Sequence, residues 1–182
     1  MIRKYICIAA AFMLSLSFTG CGKGKTKEKN SVQSSTAESG REVGISKINI
    51  CGKELDFPFE YGELGKEFTL KNALYFSSED YTLYDLYKGE VLICRLEIQG
   101  KETKNNKHGR VININAYGAQ MDFFKFNGIR GDAEYNESVE KLGKADNESE
   151  NYLEYSQDNV ILSLLFDKDT KKLDSVILLE KR

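Results

Sequence analysis

Apolar and polar positions from about residue 45 onward alternate in short runs broken by polar turns. In YDLYKGEVLI (84–93) one run meets Lys88-Gly89-Glu90 and returns as an aliphatic run. In YLEYSQDNVIL (152–162) the turn is Gln157-Asp158-Asn159. A period of two with a short polar turn predicts an antiparallel hairpin at each place. GRVININAY (109–117) sets Val111, Asn113 and Asn115 against Ile112, Ile114 and Ala116, which predicts a half-buried strand. LDSVILL (173–179) adds a further strand, and lead-in strands are expected at KINI (47–50) and MDFFKF (121–126). In EVLICRLEI the residues Leu92, Cys94, Leu96 and Ile98 share one face, so Cys94 is expected to be a buried strand thiol.

A helical period occurs once clearly. Tyr135, Val139 and Leu142 recur at i, i+4 and i+7 behind Asp132, a candidate N-cap. An earlier stretch, ICGKELDFPFEYGELGK (50–66), shares its frame with FNGIRGDAEYNESVEKLGK (126–144). Each opens near a glycine (Gly52, Gly128) and closes on Leu-Gly-Lys, with Gly65 and Gly143 at helix ends where positive φ is favoured. In the first, Pro58 stands where a helix accepts its first residue, and Phe59 to Leu64 allow a turn or two. The pattern predicts two divergent copies, about 45–120 and 121–182, each a helix followed by three antiparallel strands. The expected class is α+β, one sheet with short helices on one face.

The run FNGIRGDAEYNESVEKLGK, followed by YLEY, NVILSLLF and LDSVILL, resembles the repeat of β-lactamase-inhibitor-protein-like (BLIP-like) domains and of SmpA/OmlA-type envelope lipoproteins. The resemblance implies a glycine-led turn, a short helix ending in Leu-Gly, and a curved antiparallel sheet whose free face meets other proteins.

The first forty-odd residues follow another logic. Arg3 and Lys4 precede Tyr5 to Phe18, which carry no charge and are mostly apolar. That core is shorter than the roughly 20 apolar residues a spanning helix needs, and it ends in small residues, so residues 1–20 are expected to be an export signal. Phe18-Thr19-Gly20-Cys21 resembles the lipobox of bacterial lipoproteins. The resemblance implies lipid on the Cys21 thiol, cleavage before it, and attachment to the extracytoplasmic face of a cell membrane. Residues 22–44 then contain little that could form a core, and they are expected to be a disordered tether spanning roughly 25 Å. Lys23, Lys25, Lys27 and Lys29 lie just beyond the anchor, where anionic headgroups would attract them. This leaves residues 45–182 as one domain.

The full chain carries a net charge of −2, and Arg3 and Lys4 leave with the signal, so the mature protein is mildly acidic. It has no basic stripe, and nucleic acid is an unsuitable partner. The only histidine, His108, lies in KETKNNKHGR without Cys, Asp or Glu at ligand spacing. No Ser-His-Asp or Cys-His arrangement is possible without it. Glu79-Asp80 and Asp85 are expected to be solvated acids and not a glycosidase pair. DKDTKKLD (167–174) lacks the glycine and closing Glu of a calcium loop and reads as a hairpin turn. GKGK lacks the frame of a phosphate loop. Export permits a Cys51–Cys94 disulfide, but alternation places Cys51 opposite Ile48 and Ile50 and argues against it. No cofactor or metal is expected.

Ten tyrosines and ten phenylalanines, with no tryptophan, remain as the positive signal. Tyrosine offers large amphipathic contact area at low entropic cost. Tyr84, Tyr87, Tyr152 and Tyr155, the paired tyrosines of the two copies, are therefore the candidate partner-binding residues. The expected function is a membrane-anchored, non-enzymatic protein-binding module, with an envelope assembly or scaffold subunit as the alternative.

Overall fold

A computed structural model describes residues 44–101 and 109–182. The expected signal peptide, Cys21, almost all of the tether and His108 lie outside the described residues. The strands run in chain order as β1 (Lys47–Ile50), β2 (Lys53–Asp56), β3 (Phe59–Glu60), β4 (Phe68–Phe76), β5 (Tyr81–Lys88), β6 (Val91–Gln99) and β7 (Arg110–Tyr117). They continue as β8 (Phe124–Phe126), β9 (Ile129–Arg130), β10 (Asn147–Ser149), β11 (Tyr152–Gln157), β12 (Val160–Phe166) and β13 (Leu173–Glu180). Among the described residues one α-helix, α1 (Tyr135–Leu142), precedes β10, and 3-10 turns occupy Tyr61–Leu64 and Gly118–Phe123.

All strand pairs are antiparallel, and they form two sheets. The small sheet has the order β2-β1-β8-β9. The large sheet runs β10-β11-β12-β13-β7-β6-β5-β4, with β3 added beside β7. One core cluster joins them: Ile48, Ile50, Phe124 and Phe126 from the small sheet pack with Leu86, Leu96, Ile114, Tyr155, Leu164 and Leu178 from the large one. Leu142 of α1 and Leu64 enter the same core. The inner face of the large sheet is thereby covered.

The expected α+β fold of two helix-plus-strand repeats is overturned. The described residues are 57% strand and 14% helical, in two sheets, with a single α-helix. Phe59 to Leu64 are too few to nucleate an α-helix, so that segment yields a two-residue strand and one 3-10 turn. Pro58 does not open a helix; it follows a cis bond from Phe57 and leads into β3. The lead-in segments do not extend the main sheet but pair with each other, Ile48 opposite Phe126 and Ile50 opposite Phe124. Of MDFFKF, only Phe124–Phe126 is strand. The cap of α1 is Glu134, while Asp132 pairs with Arg130 at 3.1 Å.

The hairpins β5–β6 and β11–β12 form where alternation placed them. A bulge shifts the phase of β6: Leu86 faces Cys94 but Tyr87 faces Leu92. Ile93 is therefore buried and Leu92 half-buried, and Leu92 leaves the face of Cys94, Leu96 and Ile98. Cys51 also departs from simple alternation. Its φ of 53° in the β1–β2 turn breaks the period, and the side chain packs against the core that holds Ile48, Ile50 and Cys94. Both thiols are free.

Candidate functional site

The four candidate tyrosines do not form one surface. Tyr84 and Tyr155 are 3% and 0% exposed and belong to the core. Tyr87 and Tyr152 are half-buried on the opposite, outer face of the large sheet. The Tyr-x-x-Tyr spacing causes this, because residues three apart in a strand point to opposite faces. Five inter-strand steps separate β5 from β11, about 24 Å at the usual spacing, so Tyr87 and Tyr152 do not meet. Lys71 Nζ lies 4.2 Å from the centre of the Tyr87 ring. The Tyr152 hydroxyl donates to Glu154 and contacts Ser163 at 3.2 Å, and burial, then Glu154, raises its pKa above the ordinary tyrosine value.

Strand register organises the outer face into rows. One row runs Tyr152, Leu165, Ser175, Tyr117. The next runs Glu154, Ser163, Ile177, Asn115, Arg95, Asp85, Lys71. Beyond it come Ile161, Leu179, Asn113, Glu97, Leu83 and Leu74. Leu165, Ile177 and Tyr117 are 41%, 37% and 43% exposed, and they sit on three adjacent strands. Flanked by Tyr152, Ile161 and Leu179, they make an apolar patch on the face the small sheet does not cover.

Leu165 and Ile177 were not among the residues singled out from the sequence, yet a signal for them exists. An antiparallel sheet with one wet face carries polar residues at its outer positions. VILSLLF and LDSVILL instead stay aliphatic on both faces. Continuous apolar character in a hairpin strand marks a second surface to be covered.

Charges frame the patch. Arg95 donates through Nε to Asp85 at 3.2 Å, and Asn72 donates to the other Asp85 oxygen at 2.7 Å. Where β7 begins and β13 ends, Arg110 grips Glu180 with two hydrogen bonds of 3.0 and 2.8 Å, and Asn159 adds a third at 2.8 Å. The Arg110 bonds hold the Glu180 carboxyl below the ordinary carboxylate range, against burial. A lowered folded pKa stabilises the fold above the unfolded value and loses that contribution as pH falls through the folded one. Glu180→Gln is expected to cost about 1 kcal/mol at neutral pH, a figure discounted for the exposed side of Arg110. The gap between wild type and variant should close below about pH 4, as read by urea unfolding across pH. A gap that persists at acid pH would refute the ion pair's role.

Between β5, β6 and β7 the outer face sinks into a hollow of about 190 Å³ lined by Leu83, Arg95, Leu96, Glu97, Asn113 and Asn115. Burial pushes the Glu97 carboxyl above the ordinary range, opposed by Arg182 and by a hydrogen bond from Asn113. The buried Asn113 Oδ1 has no partner among the described residues.

The acids singled out in the sequence lie apart among the described residues. Asp85 is engaged by Arg95 and Asn72, while Asp80 accepts from the Tyr75 hydroxyl at 2.9 Å, so these acids do not oppose each other across a cleft. Asp167 accepts three hydrogen bonds from Asp169 and Thr170, closing the turn between β12 and β13. Among the described residues no three His, Cys, Asp or Glu side chains gather at metal-binding distance. Cys94 is wholly buried, which drives its thiol well above its usual pKa, away from thiolate reactivity. Among the described residues no helix is long and apolar enough to cross a membrane. No protein-family model, no curated protein and no solved structure matches this chain.

Proposed function

We propose that this chain is an extracytoplasmic lipoprotein, anchored through Cys21, whose domain binds a protein partner on the outer face of its large sheet without catalysing a reaction. The observation that carries the reading is the apolar patch of Leu165, Ile177 and Tyr117 on a sheet whose other face is already covered. Large aliphatic and aromatic groups clustered on one surface are the usual mark of a contact site, whereas single exposed ones are not. Tyr152 and Tyr87 contribute from the rim, and Tyr84 and Tyr155 contribute only by holding the sheet together.

Crosslinking on intact cells, followed by mass spectrometry, tests the reading. Leu165→Asp and Ile177→Asp should each cost about 1 kcal/mol, from the part-buried apolar area and the poor fit of Asp in a strand, and leave the domain folded. If the patch is the centre of a contact, either change should weaken partner capture by roughly 30-fold. Unchanged crosslinks in the double variant would sink the docking face. The anchor has a separate readout: Cys21→Ser should move the protein from the membrane fraction to the soluble one.

A further inference from the structure

Glu97 is a poor place for an unmatched negative charge. It sits on the outer face of β6 with its side chain only 20% exposed, in the wall of the hollow between β5, β6 and β7. Asn113 stands directly opposite Glu97 across β6 and β7 and keeps a buried, unpartnered oxygen. Arg95, the other charge in the hollow, is matched by Asp85. What remains is a surplus of acceptors: one carboxylate and one amide oxygen, beside the half-buried Leu83 that pairs with Glu97 across β5 and β6.

The neighbouring group shows what such a place holds. The Arg182 guanidinium lies 5.1 Å over the Tyr81 ring, and its Nη1 donates to the Glu79 carbonyl at 2.6 Å. Its Nη2 is 3.9 Å from Glu97, a loose ion pair at the hollow's rim and not a hydrogen bond within it. A planar guanidinium offers five donors and stacks on aromatic rings, so it satisfies a carboxylate and an amide oxygen together better than an ammonium does.

We infer that the Glu97–Asn113 hollow is a guanidinium site, taking an arginine side chain of the protein partner, with Arg182 as its internal competitor at the rim. The inference rests on the outer face being a docking surface and supplies the chemistry of what docks: an arginine next to apolar groups. The apolar neighbours meet Ile177 and Leu179, which share strand rows with Asn115 and Asn113. The arginine enters between β5 and β7. Recognition then has two parts, contact area from the patch and register from one charged side chain. An entering guanidinium gains a desolvated carboxylate only if Arg182 yields it, so removing Arg182 exposes the full strength of the site.

The test is a titration of the full-length protein in detergent with N-acetyl-L-arginine amide, followed by NMR. The matched control is N-acetyl-L-citrulline amide, the same shape without the charge. The arginine probe should saturably shift the side-chain amide signals of Asn113 and the backbone signals of Leu83 and Glu97, while the citrulline probe should not. Arg182→Ala should tighten the apparent affinity at least threefold, and Glu97→Gln should weaken it at least tenfold. Equal responses to the two probes, or an affinity indifferent to both substitutions, would overturn the site. Should Glu97→Gln fail to fold, the Arg182→Ala comparison decides by itself. Failure here with Leu165→Asp and Ile177→Asp still losing the crosslink leaves the docking face standing. Arginine binding with crosslinks intact in those variants retains the hollow and removes the docking face.

Discussion

Tyr155→Ala is expected to destabilise the domain by about 3–5 kcal/mol, while Tyr152→Ala three residues earlier costs less than about 1 kcal/mol. Tyr155 is wholly buried on the inner face of β11 and is among the largest fully buried side chains. Its hydroxyl donates to the Gly143 carbonyl at 3.3 Å, tying β11 to the end of α1. Truncation removes the ring from a core shared by both sheets, and it leaves that carbonyl short of a donor. Tyr152 loses a hydroxyl contact to Glu154 and Ser163 on the half-exposed outer face. Denaturant unfolding with an unchanged slope would measure both. Equal losses would mean that β11 does not divide its two tyrosines between the faces. Crosslinking should show the converse order, with Tyr152→Ala the more damaging to partner capture per unit of stability lost.

Gly131→Ala should be nearly as costly, about 3 kcal/mol or more, for a steric reason. A Cβ at this position would stand 1.9 Å from the Met121 carbonyl oxygen and 2.4 Å from its carbon. Those are backbone atoms of the 3-10 turn Gly118–Phe123, so no side chain can swing aside. The turn that follows β9 must separate from the turn that precedes β8, and the small sheet loses its edge. Gly128 makes a useful comparison. Its φ is +82°, but a Cβ there meets nothing within 4 Å, so Gly128→Ala carries only backbone strain of about 1–2 kcal/mol. Thermal unfolding of the two variants side by side separates close approach from left-handed conformation. If Gly128→Ala proves the worse, the contact with Met121 is not tight.

These two glycines show where sequence reasoning reaches its limit. Gly128 was marked by its place at the head of a motif, while Gly131 resembled any other turn residue. Its constraint comes from a segment ten residues away, folded back against it. The hairpins were legible because period, turn and partner are all local. The split into two sheets was not, since KINI carries no mark telling it to pair with Phe124–Phe126 instead of extending the main sheet. Leu92 was misplaced because a one-residue bulge inverts every later face assignment, and alternation by itself does not announce a bulge. The outer tyrosines were half legible: the spacing of three already dictated opposite faces. The site hollow was beyond reach, because Glu97 and Asn113 come together only through the pairing of β6 with β7.

The distant pairing of Ile48 with Phe126 has a further consequence, for the order of events during synthesis. β1 emerges first but has no sheet to join beyond its own hairpin until β8 has been made, and the centre of the large sheet waits for β13. Closing such long loops before contacts form makes folding slow. In a chain leaving the ribosome from its N-terminus the local pairs β4–β5, β5–β6 and β6–β7 can form early, but the junction of β7 with β13 cannot close until nearly the last strand is out. For a protein proposed to cross a membrane as an extended thread, late closure of that junction leaves only local hairpins to be undone before passage.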